Sequence, residues 1–141
     1  MTDERVERFR RGLEAWNDGN FDVILEQLDP DVQIHLSGAF PGLEREYRGH
    51  EGFLAFWREM GDMWHPLQME AREIEPVGDL VLTGVNFKAT GRNGIQVDRT
   101  FYFVWQFDAT SDKVIAYSSH QDRESALEAA QTAREKGELP A

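Results

Sequence analysis

Apolar residues recur at two different periods along this chain, and the switch between them divides it into a helical first half and a stranded second half. Over residues 3–17, Val6, Phe9, Leu13 and Trp16 follow at steps of three or four, the period of a helix with one apolar stripe. Thr2 or Asp3 supplies an N-cap, and Asn17-Asp18-Gly19-Asn20 breaks the helix. A short second helix from about Phe21 to Leu28 turns Phe21, Ile24, Leu25 and Leu28 inward until Asp29-Pro30-Asp31 ends it. Val32 to Leu36 alternates apolar and polar, as a half-buried strand does. Ser37 to Gly49, with Gly38, Pro41 and Gly42, reads as an irregular loop. The third helix, about His50 to Met63, carries Phe53, Phe56, Trp57 and Met60, with Trp64 just beyond, and Pro66 closes it off.

From there the pattern is one of strands. Leu67 to Glu75 stops at Pro76, and Val77-Gly78-Asp79 turns into Leu80–Thr90. Gly91-Arg92-Asn93-Gly94 is a hairpin signal, because glycine and asparagine tolerate positive φ. Ile95 to Asp108 forms a long strand, and Ala109–Asp112 turns into a last strand, Lys113–Gln121. Asp122 caps a final helix from Arg123 to about Lys136, with Ala126, Leu127 and Ala130 on its modest apolar side. Strands that follow helices in blocks predict an α+β fold with a mainly antiparallel sheet.

At 141 residues this is one domain, with a core from about residue 6 to 130 and a tail over 131–141. The net charge of −11 and pI near 4.7 argue against nucleic acid or an anionic membrane as partner, since both reward a basic surface. The chain has no cysteine, so disulfides, thiolate metal sites and cysteine nucleophiles are excluded. The start MTDERVERFRR lacks the apolar run of a signal peptide, and no stretch has the length of a membrane span. Together these features predict a cytoplasmic location.

Three phrases carry a resemblance: Leu28-Asp29-Pro30-Asp31-Val32 before the first strand, Tyr47-Arg48-Gly49-His50-Glu51-Gly52-Phe53 opening the third helix, and Phe107 through Asp122 closing the sheet. In this order they resemble the SnoaL-like members of the nuclear transport factor 2-like superfamily, over about Val6 to Ala130. The resemblance implies a cone, in which a strongly bent, mixed but mainly antiparallel sheet wraps the helices and opens at one end to a small molecule. It implies little about activity, because ketosteroid isomerases, polyketide cyclases, epoxide hydrolases and inactive binders share that fold. Aligned with the ketosteroid isomerases, Gly12 falls at the oxyanion-holding tyrosine, Leu36 at the base and Phe103 at the acid, and none of the three performs that chemistry. Asp122 lies close to the acid/base aspartate of the polyketide cyclases. Arg99 matches the arginine of the epoxide hydrolases, but Phe101 stands where its carboxylate partner is wanted. Homodimers are common in the superfamily. The outer face of the long strand (Thr100, Tyr102, Val104, Gln106) is amphipathic enough to pair with a second copy.

Within that frame Arg99 is the first candidate for chemistry. Its strand face reads Ile95, Val97, Arg99, Phe101, Phe103, Trp105, Phe107. A guanidinium enclosed there needs an anion or a carbonyl, either an internal carboxylate or a ligand held in a fork. On the last strand, alternation aligned to the family places Tyr117, Ser119 and Gln121 inward as a polar floor. A bulge near the strand end instead brings His120 and Asp122 inward as a proton shuttle. The structural alternatives are an N-cap role for Asp122 and an exposed or interface role for His120. His35 is placed beside the cone mouth. Trp16, Phe40, Trp57, Met60, Phe103 and Trp105 are candidate walls for an apolar ligand. The four histidines show no metal-ligand spacing, and no phosphate loop, dinucleotide motif or nucleophile elbow occurs, so neither metal nor cofactor is predicted. The expectation is a binder of a small apolar or carbonyl-bearing molecule. In a catalytic version Arg99 steadies negative charge while His120 or Asp122 moves a proton. The alternative is a non-catalytic binding or dimerisation domain.

Overall fold

A computed structural model describes residues 2–36 and 46–139, with the backbone alone for residues 2 and 3. Phe40, most of the predicted loop and the choice between Thr2 and Asp3 as N-cap lie outside the described residues. The elements run α1 (Thr2–Asn17), α2 (Phe21–Gln27), β1 (Leu28–Leu36), β2 (Glu46–Arg48), α3 (Gly49–Met63), β3 (Trp64–Val77), β4 (Leu80–Gly91), β5 (Gln96–Phe107), β6 (Val114–His120) and α4 (Arg123–Lys136). The strands form one sheet in the order β2-β1-β6-β5-β4-β3. Only the β1–β6 pair is parallel, so the sheet is mixed and mainly antiparallel, as expected.

Three boundaries differ from the sequence reading. The first strand begins at Leu28 instead of Val32, because Pro30 breaks a helix but fits an extended chain, and Leu28 already pairs with Val114. Glu46–Arg48 is a strand, not loop, with Tyr47 opposite Ile34. Gly49, at φ 73, then turns the chain directly into α3, a conformation in which a side chain is strained. The strand β3 continues through Pro66 and Pro76, which it can do because it lies at the sheet edge, where a missing N–H removes no interior ladder bond.

The bend in the sheet has a local cause. The β3–β4 register slips between Ala71 and Glu73, leaving Arg72 as an extra residue. Next to the slip, Gly84 pairs with Glu73, and the Tyr102 ring covers the bare glycine so closely that a Cβ there stands 3.0 Å from it. A bulge facing a glycine lets the strands coil more strongly than a regular ladder does.

Curvature gives the sheet two unlike faces. On the inner face α1, α2 and α3 pack against Ile34, Leu36, Val85, Phe87, Phe101, Phe103 and Tyr117. The outer face is covered by α4, whose Ala126, Ala129, Ala130 and Ala133 meet Leu80, Leu82, Val104 and Ala116. Asp122 accepts a hydrogen bond from the Ser125 N–H at the start of α4, and Gly137 closes its end at φ 80. Arg123 fixes the start of α4 to β3 through Glu73, at 2.9 Å, and Glu75. The chain's own helix lies over part of the strand face expected to meet a second copy. Val104 is fully buried, Tyr102 packs against the helix, and Gln106 donates to the Gly137 carbonyl at 2.8 Å. Among the described residues no helix is long and apolar enough to cross a membrane.

Candidate functional site

The inner face is not completely filled. A cavity of about 100 Å³ remains between the helices and the sheet. From α1 it is lined by Arg5, Arg8, Phe9, Gly12, Leu13 and Trp16, and from α3 by Phe53, Phe56 and Trp57. The α2 segment adds Ile24 and Gln27, while Met69, Phe87, Phe103, Trp105 and Tyr117 form the sheet wall. An apolar cavity of this order stays dry and accepts a small ring compound in other proteins. Aromatic rings make most of the wall, and several meet edge to face or tilted, as Phe9 does on Trp105 and Trp105 on Tyr117.

Each wall has a reason in the chain. The helix face of α1 that lines the cavity is read at positions 5, 8, 9, 12, 13 and 16, one stripe of a 3.6-residue period. Asn17, at the end of that helix, donates to the Met69 carbonyl (2.9 Å) and accepts from the Met69 N–H (3.0 Å). Its amide thus mimics a neighbouring strand and seats α1 on the free edge of β3. On β5 the alternation places Phe101, Phe103, Trp105 and Phe107 toward the helices.

Polar groups in this wall are few. The Trp57 indole N–H is buried without a hydrogen-bond partner among the described residues. Tyr117 is buried as well, and desolvation alone pushes its phenol up, with no hydrogen bond contributing, so it stays a neutral donor at every physiological pH. Trp105, by contrast, donates to the Thr83 hydroxyl at 2.8 Å. The Gln27 side chain donates to the Arg8 carbonyl at 3.0 Å. No aspartate, glutamate or histidine lines the cavity among the described residues.

The site candidates from the sequence divide on this geometry. Trp16, Trp57, Phe103, Trp105 and Tyr117 line the cavity together. Met60 is buried in the adjoining core but does not reach the cavity, and Ser119 is buried beside Phe103, its hydroxyl without a partner among the described residues, also outside the lining. Gln121 is exposed beyond the strand end.

Arg99 is not enclosed. Its residue is exposed, and its guanidinium lies over the Phe101 ring, 5.1 Å from the centroid. The alternation on β5 is as predicted, but the strand outruns the cavity, so the long side chain carries its charge into water. His35 faces the outer side next to Ser118, with its Nδ1 3.4 Å from Glu46, rather than the cone. His120 also lies on the outer side, buried, its Nε2 2.8 Å from the Ser118 hydroxyl. Burial pushes its imidazole down to about 4, although the Asp122 charge acts in the opposite direction. Asp122 is exposed, and its hydrogen bonds from Ser125 hold its carboxyl below the usual range. The bulge that was to turn this pair inward occurs at the other end of β6, between the Ala116 and Val114 pairings, and leaves the end carrying His120 in regular alternation. Arg99, His120 and Asp122 therefore share no cavity.

The residues that the sequence reading missed are Arg5 and Arg8. Both guanidinium groups bind Asp112: Arg5 through Nε at 3.0 Å and Nη2 at 2.8 Å, Arg8 through Nη1 at 2.9 Å. Arg5 also lies over the Phe107 ring at 4.4 Å and donates to the Asp79 carbonyl at 3.1 Å. Their side chains are 25 % and 23 % exposed while lining the cavity, so its solvent end is here. Asp112 adopts φ 60, a left-handed conformation that aspartate enters more readily than most residues.

A search among curated proteins returns no match. Among solved structures the chain is similar to a nuclear transport factor 2-like protein of unknown function from Burkholderia pseudomallei K96243. The two share 21 % identity and a TM-score of 0.74 over 92 % of this chain and 94 % of that one. It is similar also to TerC, co-crystallised with polyporic acid, at 20 % identity and a TM-score of 0.73, covering 87 % and 95 % of the two chains. A third is a protein provisionally assigned as a SnoaL-like polyketide cyclase from Jannaschia sp. CCS1, at 18 % identity and a TM-score of 0.70, covering 86 % and 88 %. At these identities the likeness establishes the fold. The family model for the SnoaL-like domain matches residues 9–117, the second half of α1, all of α2 and α3 and most of the sheet, and by that match the chain belongs to the SnoaL-like domain family.

Proposed function

We propose that this protein binds a small, flat, mostly apolar molecule carrying a hydrogen-bond acceptor such as a carbonyl, in the cavity between α1, α3 and the sheet. The observation that carries this reading is the Trp57 N–H, unpartnered among the described residues, in a wall that also holds Tyr117, whose hydroxyl makes no hydrogen bond among the described residues. A buried donor left unpaired costs on the order of 1–3 kcal/mol, so a guest oxygen that accepts from it gains both the bond and relief of that cost. The aromatic wall supplies the remaining affinity by burying the guest's faces. Co-crystallisation of TerC with polyporic acid supports the reading from the side of the fold, since there a similar chain was studied with a small organic compound.

The reading assigns binding and no reaction. Cyclisation, isomerisation and hydrolysis each need a group that accepts or gives a proton at the guest. Among the described residues the polar groups of the wall are a neutral phenol, three indoles, the Gln27 amide and two arginines, with no carboxylate or imidazole.

Isothermal titration with aromatic ketones such as 2-acetylnaphthalene and acetophenone tests it, comparing wild type with Tyr117→Phe and Trp57→Phe. Each substitution removes one donor, and a loss of roughly 3- to 10-fold in affinity is expected from each. No binding to wild type at millimolar concentration, or affinities unchanged in both variants, contradicts the proposal.

A further inference from the structure

We infer that the guest is an acid, with its carboxylate taken by Arg8 at the solvent end of the cavity. This rests on the binding reading above and adds the chemical class of the ligand. The charge count at that end is the first observation. Two guanidinium groups line the cavity and share one carboxylate, that of Asp112, leaving one positive charge in a protein whose net charge is −11. No other carboxylate among the described residues lines the cavity to offset it.

The second observation is which nitrogens are engaged. Arg5 uses all three: Nε and Nη2 on Asp112, and Nη1 on the Asp79 carbonyl. Arg8 uses only Nη1, which donates to the Asp112 carboxylate and to its backbone carbonyl, both at 2.9 Å. The Nε and Nη2 donors of Arg8 make no hydrogen bond among the described residues. These two form one edge of the guanidinium plane, the edge that presents two parallel donors to a carboxylate. Asp112 thus acts as a positioning residue. It holds Arg8 by one corner and leaves the forked edge open, about a quarter exposed, at the end of an otherwise apolar cavity. An aromatic or alicyclic carboxylate matches this layout, with its ring against Trp57 and Trp105 and its charge at Arg8.

The test compares each acid with its primary amide, nearly the same shape without the charge: 2-naphthoate with 2-naphthamide, and cinnamate with cinnamamide, titrated into the full chain. In wild type the acid is expected to bind at least about 10-fold more tightly than the amide, as a charge-assisted forked pair requires. In Arg8→Gln that preference is expected to fall below about 3-fold while the amide affinity holds, and Arg8→Lys, which keeps the charge but not the fork, is expected to fall between. Equal binding of acid and amide to wild type overturns this inference and leaves the cavity reading standing. Binding of neither member of any pair overturns both. A preference that survives in Arg8→Gln and Arg8→Lys alike overturns the assignment to Arg8. Should Arg8→Gln fail to fold, the wild-type comparison and Arg8→Lys still decide the matter.

Discussion

The two faces of the sheet are built from the same strands, yet they are packed on opposite principles. On the outer face, four alanines of α4 lie against Leu82, Val104 and Ala116, small residues that let the helix approach closely. On the inner face, bulky aromatic side chains from three helices and five strands meet and still leave a void of about 100 Å³. If the void were only a packing fault, the larger residues should be the ones to fill it, since deleted volume is what opens cavities. The difference teaches that the inner face is shaped to hold space and the outer face to hold the fold.

The largest effect expected from this contrast is on the outer face. Leu82 is fully buried there, and Leu82→Ala should destabilise the protein by about 2–5 kcal/mol in urea unfolding, with little change at the cavity. A cost below 1 kcal/mol would mean that the outer packing is loose. His120 comes next. Its imidazole is brought from 6.5 to about 4 by burial, so between those pH values the unfolded chain takes up a proton that the folded chain refuses. Its contribution to stability is complete above 6.5, drains away as the pH falls, and stops draining below about 4, a total of about 3 kcal/mol. Unfolding curves at pH 7.5 and 4.5 should therefore differ less in His120→Gln than in wild type. An identical difference in both would place the acid sensitivity elsewhere.

Adding volume gives the sharpest contrast between the faces. Ala130 is fully buried under α4, and Ala130→Leu should cost about 1–3 kcal/mol by overpacking. Gly12 lines the cavity, and a Cβ there meets only the tip of Gln27, at 3.2 Å. Gly12→Leu should therefore change stability by less than about 1 kcal/mol, helped by the better helix propensity. At the same time it should abolish ligand binding. Comparable destabilisation by the two substitutions would erase the distinction. A smaller cost than that of Ala130→Leu belongs to Asn17→Ala, which removes two hydrogen bonds to Met69 and should destabilise by about 1–2 kcal/mol, read as a lower melting temperature.

The sequence carried the element order because periodicity survives folding: the stripe of α1 and the alternation of β5 are both visible in the chain and both present in the structure. What it could not carry was where the helices stop covering the sheet. Arg99 sits on the predicted face of β5 and is nonetheless exposed, since alternation gives a side chain's direction but not what lies above it. The same limit hid the role of Arg8. Positions 5, 8, 9, 12, 13 and 16 continue one stripe, and extending the apolar reading of α1 to its two arginines would have pointed to them. Their shared partner Asp112 is more than a hundred residues away in a turn, and no local pattern announces it. His120 and Asp122 were separable only by the register of β6, which depends on where a bulge falls.

The claim that the inner cavity holds a guest through its unpartnered donors is tested most directly by the tryptophan indole N–H signals in a ¹⁵N–¹H correlation spectrum, followed as 2-acetylnaphthalene is added. The chain has four tryptophans, of which Trp16, Trp57 and Trp105 line the cavity and Trp64 does not. The Trp57 signal should move furthest, downfield as it gains an acceptor, with Trp105 shifting less because Thr83 already holds it and Trp64 unmoved. Movement of Trp64 alone, or four stationary signals at saturating ligand, would contradict the account.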